Sequence, residues 1–151
     1  MKIYLPIIIL LIFAFVNFVS AQTAAEITEI SLQDDGGFGF ERGDKIKFFS
    51  DGSAEYFGGK NSYGLKGKYR GQIKKSEFVK LANFIVKEGF FKFKDLYETQ
   101  ANDAATITTT VIYKGGQKSV VNFANTGDAK LSAVHRAINA LGAKVKWEKV
   151  E

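Results

Sequence analysis

Four groups of side chains carry functional groups at spacings that matter chemically. The most ordered is cationic: Lys66, Lys68 and Arg70 alternate with Gly67, Tyr69 and Gly71, and Lys74 and Lys75 follow closely. Alternate residues of an extended strand share a face, so this spacing puts three positive charges on one surface. Such a stripe attracts an anionic surface or partner. The plainer alternative is a solvated face, or an edge strand guarded by charge against sheet-to-sheet pairing. The second group is Gly37-Phe38-Gly39-Phe40-Glu41-Arg42-Gly43, which displays Phe38 and Phe40 on a glycine-rich loop. The dinucleotide fingerprint is G-x-G-x-x-G between a strand and a helix. Here the last spacing is one residue too long and β-prone residues follow, so the loop is a strand connection in which glycine permits positive φ. Phe38 and Phe40 stand behind the cationic stripe as binding candidates.

The third group is acidic: Asp34, Asp35, Glu41 and Asp44. Calcium takes carboxylate and carbonyl oxygens, but the EF-hand spacing is absent. A glycosidase pair needs two acids across a cleft, which spacing alone does not provide. A solvated loop is the expectation. The fourth is His135, the one histidine of the chain. It has no cysteine to join it and no acid three or four residues on, so it makes a poor metal site. Neither G-x-S-x-G nor Ser-x-x-Lys occurs to supply a nucleophile, and His135 is expected to be structural, partly buried or at the surface. No cofactor and no metal site are expected.

The elements that must hold these groups follow from periodicity. Residues 27–32 form a plausible first strand, and 45–49 and 54–57 are two β-prone runs around Ser50-Asp51-Gly52-Ser53, a strong hairpin signal. Leu65, Gly67, Tyr69, Gly71 and Ile73 form the inner face of the next strand, where glycines suggest close packing. Ser76 to Glu88 reads as a helix with Ser76 as N-cap, an apolar stripe of Phe78, Leu81, Ala82 and Ile85, and Gly89 just past its end. Phe90, Phe91 and Phe93 anchor the exit, and Leu96-Tyr97 starts a loop that runs to Ala105. Thr106–Tyr113 and 117–123 form a hairpin through Lys114-Gly115-Gly116. A second helix runs from Ala129 to Leu141, capped by Asp128 and ended by Gly142, and the tail alternates Ala143, Val145 and Trp147 with charged residues. The tail suits a closing strand or an amphipathic extension. The expected fold is α+β, an antiparallel sheet of hairpin-connected strands with two helices on one face, in the order β-β-β-β-α-β-β-α-β.

The chain has 151 residues, a formal net charge of +5 and no cysteine. Met1-Lys2, the uncharged run from Ile7 to Val16 and Val19-Ser20-Ala21 have the layout of a secretory signal cleaved after Ala21. An uncleaved anchor helix is the rival, since Ile3 to Val19 approaches a membrane-spanning length. Short apolar length, the interruptions at Pro6 and Asn17, and the missing basic cluster favour cleavage. Residues 22–151 then form one exported domain, periplasmic or extracellular, that packs without disulfides on its aromatic rings. Export turns the positive charge away from nucleic acid and toward an envelope protein or an anionic surface.

The order of Gly36-Gly37-Phe38, Ser50-Asp51-Gly52, Tyr56, Gly67 to Ile73, Phe78-x-x-Leu81, Gly89-Phe90-Phe91, Asp95-Leu96-Tyr97, Asp103, the Thr-rich strand and Gln117-Lys118-Ser119-Val120 resembles a family of bacterial exported domains of unknown function. The resemblance runs from about residue 27 to residue 141. It implies a small secreted α+β domain and transfers no catalytic residue. The resemblance also implies a cysteine pair near the glycine loop in many relatives, which this chain lacks. The resulting expectation is a non-enzymatic binding domain that uses Lys66, Lys68 and Arg70, then Phe38 and Phe40. The alternative is a small hydrolase-like enzyme with a loop-assembled site drawn from Asp34, Asp35, Asp103 or His135.

Overall fold

The computed structural model describes residues 23–36, 43–59, 63–100 and 104–150. The signal-like segment 1–21, the loop residues Phe38 and Phe40, and Asp103 lie outside them. The described elements are strands β1 (Ile27–Asp34), β2 (Asp44–Phe49), β3 (Ser53–Gly58) and β4 (Gly67–Gln72), helix α1 (Lys75–Lys87), strands β5 (Leu96–Tyr97), β6 (Thr106–Tyr113) and β7 (Gly116–Phe123), helix α2 (Ala129–Gly142) and strand β8 (Glu148–Lys149). They form one sheet in the order β5-β7-β6-β1-β2-β3-β4-β8. Every pairing is antiparallel except β5 on β7. The α+β architecture is the expected one.

The first strand is the seam of the sheet. β1 carries the meander β2-β3-β4 on one side and the β6-β7 hairpin on the other. Its alternation places Ile30 and Leu32 on the helix-covered face, in register with Phe48 and Ile46 of β2 and with Val111 and Thr109 of β6. Phe78, Leu81, Ala82 and Ile85 of α1, with Leu131, Val134 and Ile138 of α2, close over that face in a single core cluster. Burial of these apolar side chains, worth about 1.5–3 kcal/mol each, drives the two layers together. Phe90 is fully buried and meets Phe91 and Phe93 edge-on, with ring centroids 6.0 and 5.9 Å away. The aromatic cluster therefore anchors the exit from α1 as expected.

Four local expectations need correction. The N-cap of helix α1 lies two residues earlier than expected: Lys74 occupies the N-cap position and its backbone N–H donates to the Glu77 carboxylate at 3.2 Å, so Ser76 lies inside the first turn. A carboxylate three residues into a helix can satisfy an orphan N–H as well as a capping hydroxyl does. Leu96-Tyr97 is a short strand, because the Val121 N–H donates to the Asp95 carbonyl and fixes the chain alongside β7. Gly142 does not stop α2 by adopting a left-handed conformation, as Gly89 does after α1 with φ of +79°. It is the last helical residue and is buried where a Cβ would strike the Ile46 side chain and come within 2.6 Å of the Tyr63 hydroxyl. His135 is buried at 5% exposure, deeper than the partly buried or surface position expected of it. By contrast, Asp128 caps α2 as expected, accepting from the Lys130 and Leu131 N–H groups at 2.9 Å.

The tail resolves as a closing strand. Tyr69 pairs with Lys149 and Arg70 with Glu148. Gly71 makes this possible: the Val145 side chain, the Trp147 ring and the Lys146 carbonyl occupy the space its Cβ would need. Trp147 is fixed in turn by its indole N–H donating to the Gly142 carbonyl at 3.1 Å.

Candidate functional site

No described helix covers the second face of the sheet. On β4 the alternation puts Lys68 and Arg70 there, both exposed, while Tyr69 turns inward. Cross-strand register then decides what stands beside them. Lys68 is directly opposite Phe57 of β3, and Phe57 is opposite Lys45 of β2. One step along, Arg70 is opposite Glu55, which is opposite Lys47. The two rows share a face because residues two apart in a strand point the same way.

The rows line a shallow groove of about 420 Å³ whose walls include Lys45, Lys47, Glu55, Phe57, Lys68 and Arg70, with Val150 closing the β8 side. Val150 is held by its backbone N–H, which donates to the Lys68 carbonyl at 2.9 Å. Lys45 and Lys68 sit two strand spacings apart, about 10 Å, and Lys68 and Arg70 about 7 Å apart along β4. Lys47 is committed to Glu29 at 3.4 Å and lies 5.9 Å from the Phe49 ring centroid. Among the described residues, Lys45, Lys68 and Arg70 have no carboxylate at ion-pair distance. Three unneutralised cations around one aromatic ring can hold an anionic ligand by charge and a flat ligand face by contact.

The structure thus brings Lys68 and Arg70 together and leaves Lys66 out. Lys66 is exposed ahead of β4 and does not line the groove, although its carbonyl accepts from the Tyr69 hydroxyl at 3.3 Å. Lys45, Lys47 and Phe57 were not among the sequence candidates. Their signal was present as the alternation of Lys45 and Lys47 with Ile46 and Phe48, but only the register of the β2–β3 hairpin makes them neighbours of Lys68.

The acidic candidates assemble elsewhere. Asp34 and Asp44 are cross-strand partners at the end of β1 and β2. They line a second cavity of about 240 Å³ with Tyr56, Tyr63 and Asn139, over a floor that includes Leu32, Ile46 and Ile107. The cavity lies on the helix-covered side, so Asp34 and Asp44 do not share a concave surface with Lys68 and Arg70. Asp34 accepts the Gly36 N–H at 3.0 Å and Asp44 accepts the Gly59 N–H at 2.8 Å. Asp35 is exposed and accepts from the Gln33 side-chain amide at 2.6 Å. Burial first, and the Asp44 carboxylate second, push both the Tyr56 and the Tyr63 phenols up to about 12. The Tyr63 hydroxyl donates to the Asn139 side chain at 3.0 Å. His135 lies in the core nearby with neither ring nitrogen hydrogen-bonded, and burial pushes its pKa down to about 4 against the opposing pull of Asp34.

Fold and groove together define a two-layer α+β domain with one sheet face packed under helices and a basic groove on the other. The chain belongs to the family described as "Domain of unknown function (DUF6438)", whose model matches residues 28–142, from β1 to the end of α2. No curated protein and no solved structure matches it.

Proposed function

We propose that this chain is a non-enzymatic, exported binding domain that engages an anionic partner, an envelope protein or another anionic envelope component, through the open face of its sheet. One observation carries the reading. Strand register gathers Lys45, Lys68 and Arg70, none of them neutralised by a described carboxylate, around Phe57 in a single groove. An edge strand guarded against aggregation would also carry lysine, but β4 is covered by β8 at Tyr69 and Arg70 and therefore has no bare edge to guard there. Export rests on the layout of residues 1–21.

Double charge reversal, Lys68→Glu with Arg70→Glu, is expected to lower binding to a carboxylated dextran surface by at least about a hundredfold at low salt. Two close charge contacts worth about 1.4 kcal/mol each account for that factor. High salt should weaken wild-type binding in the same direction. Both side chains are exposed and their substitution leaves the core intact, but Arg70→Glu sets a carboxylate between Glu55 and Glu148 in the register, so thermal stability should fall modestly while the fold is kept. Equal retention of the wild type and the double variant would remove the groove from the account.

The enzyme alternative draws on the meeting of Asp34 and Asp44 in one cavity. Its chemistry is poorly supplied. Tyr56 and Tyr63 stay protonated at neutral pH, and His135 is too buried at 5% exposure to exchange a proton with a bound substrate. The two carboxylates have backbone amides to receive, and they staple the segments that leave β1 and β3.

A further inference from the structure

The chemistry of the groove narrows the class of partner. Deepening the proposed function, on which it rests, we infer that the occupant is an acidic polysaccharide, a chain of carboxylate-bearing sugar rings, with one ring seated on Phe57 and its carboxylates reaching Lys45, Lys68 and Arg70. A bilayer surface is flat, whereas these groups lie within a concavity walled by Val150 on one side and by the β2 side chains on the other. An acidic peptide that docks as an added strand needs free backbone donors and acceptors. At the groove the backbone groups are spent in the ladder, since β2 and β3 pair on both sides and β4 pairs with β3 along its length and with β8 at Tyr69 and Arg70. Recognition must therefore come from side chains. A second copy of this chain would bring the same cations against Lys45, Lys68 and Arg70 and is disfavoured by repulsion.

The central position of Glu55 argues for spaced charges rather than a dense phosphate cluster. It lies between Lys47 and Arg70 in the register and would repel an anion placed directly over it. Cationic residues whose backbone positions lie about 7–10 Å apart around an aromatic floor suit carboxylates borne on successive rings. The half-buried Phe57 offers its ring as the apolar surface against which a sugar face can pack.

The test is a calorimetric titration of residues 22–151 with oligogalacturonate, with polyglutamate of matched charge, and with phosphatidylglycerol vesicles. Wild type is expected to bind oligogalacturonate at least about tenfold more tightly than polyglutamate. Phe57→Ala should lose about tenfold for the sugar chain alone, as removal of a central aromatic anchor does. Phe57→Trp keeps an aromatic floor and should retain binding, which separates a lost contact from a lost fold. If polyglutamate or vesicles bind as tightly as the sugar chain and Phe57→Ala changes nothing, the polysaccharide inference fails while the anionic reading stands. If Lys68→Glu with Arg70→Glu also leaves every affinity unchanged, or if none of the three probes binds, both fail.

Discussion

Gly71→Val should destabilise the domain by about 3 kcal/mol and detach its C-terminal strand. The space a side chain would need at position 71 is filled by the Val145 side chain, by the Trp147 ring at 3.1 Å and by the Lys146 carbonyl at 3.3 Å. Val145 is itself part of the core cluster, and Trp147 packs on it 5.6 Å from the Tyr56 ring centroid. Relief by a rotamer change is therefore blocked on the inner side, and β8 must lift from β4. Urea unfolding should show the loss, and Trp147 emission should shift to the red in the folded variant because the indole gains water. The groove suffers too, since Val150 is held to β4 through the Lys68 carbonyl. A variant with wild-type stability and unshifted emission would mean that the tail does not pack on β4.

The second large effect is acid sensitivity arising from His135. Its folded pKa of about 4 lies below the 6.5 of the free side chain. Above pH 6.5 the ring is neutral in both states and its titration makes no difference to stability. As pH falls from 6.5 toward 4, the unfolded chain takes up the proton while the folded chain resists. Stability is therefore lost across that window, by about 3 kcal/mol from this group alone. The cause is burial, because both ring nitrogens lie in the core without a hydrogen-bond partner and an imidazolium there would be poorly solvated. Carboxylates also titrate in this range, so the informative quantity is the difference between wild type and His135→Leu. The variant should match or exceed wild-type stability at pH 7, where an unsatisfied polar ring is replaced by an apolar one. Its advantage should grow by about 3 kcal/mol by pH 4. Parallel stability curves for the two proteins would show that His135 reaches solvent or a partner when charged.

How much of this was legible in the residues depended on the range of the contact. Hairpins and helices were visible, because Asp51-Gly52, Gly115-Gly116, Asp128 and the 3.6-residue stripes act within a few positions. Pairings across long separations were not. Nothing local in Ile27–Asp34 shows that it becomes the seam, partnered with β6 some eighty residues away. The strand at Leu96-Tyr97 is too short to carry a period, and its pairing with Val121 and Asn122 of β7 creates it. Gly142 looked like a helix stop because glycine usually serves there. Its actual role, close approach to Ile46 and Tyr63, is a tertiary fact. The same division holds at the site. Lys68 and Arg70 were readable from period-two alternation, whereas Lys45, Lys47 and Phe57 joined them only through register. Lys66 shares the alternation but falls just outside the paired strand.

The most direct measurement is the amide chemical-shift response of the ¹⁵N-labelled domain to a soluble carboxylated oligomer. Salt-sensitive shifts are expected, centred on Lys45, Lys47, Glu55, Phe57, Lys68 and Arg70 and absent from the Lys68→Glu, Arg70→Glu variant. Shifts centred instead on Asp34, Asp44, Tyr63 and Asn139, or the same shifts in the charge-reversed variant, would contradict it.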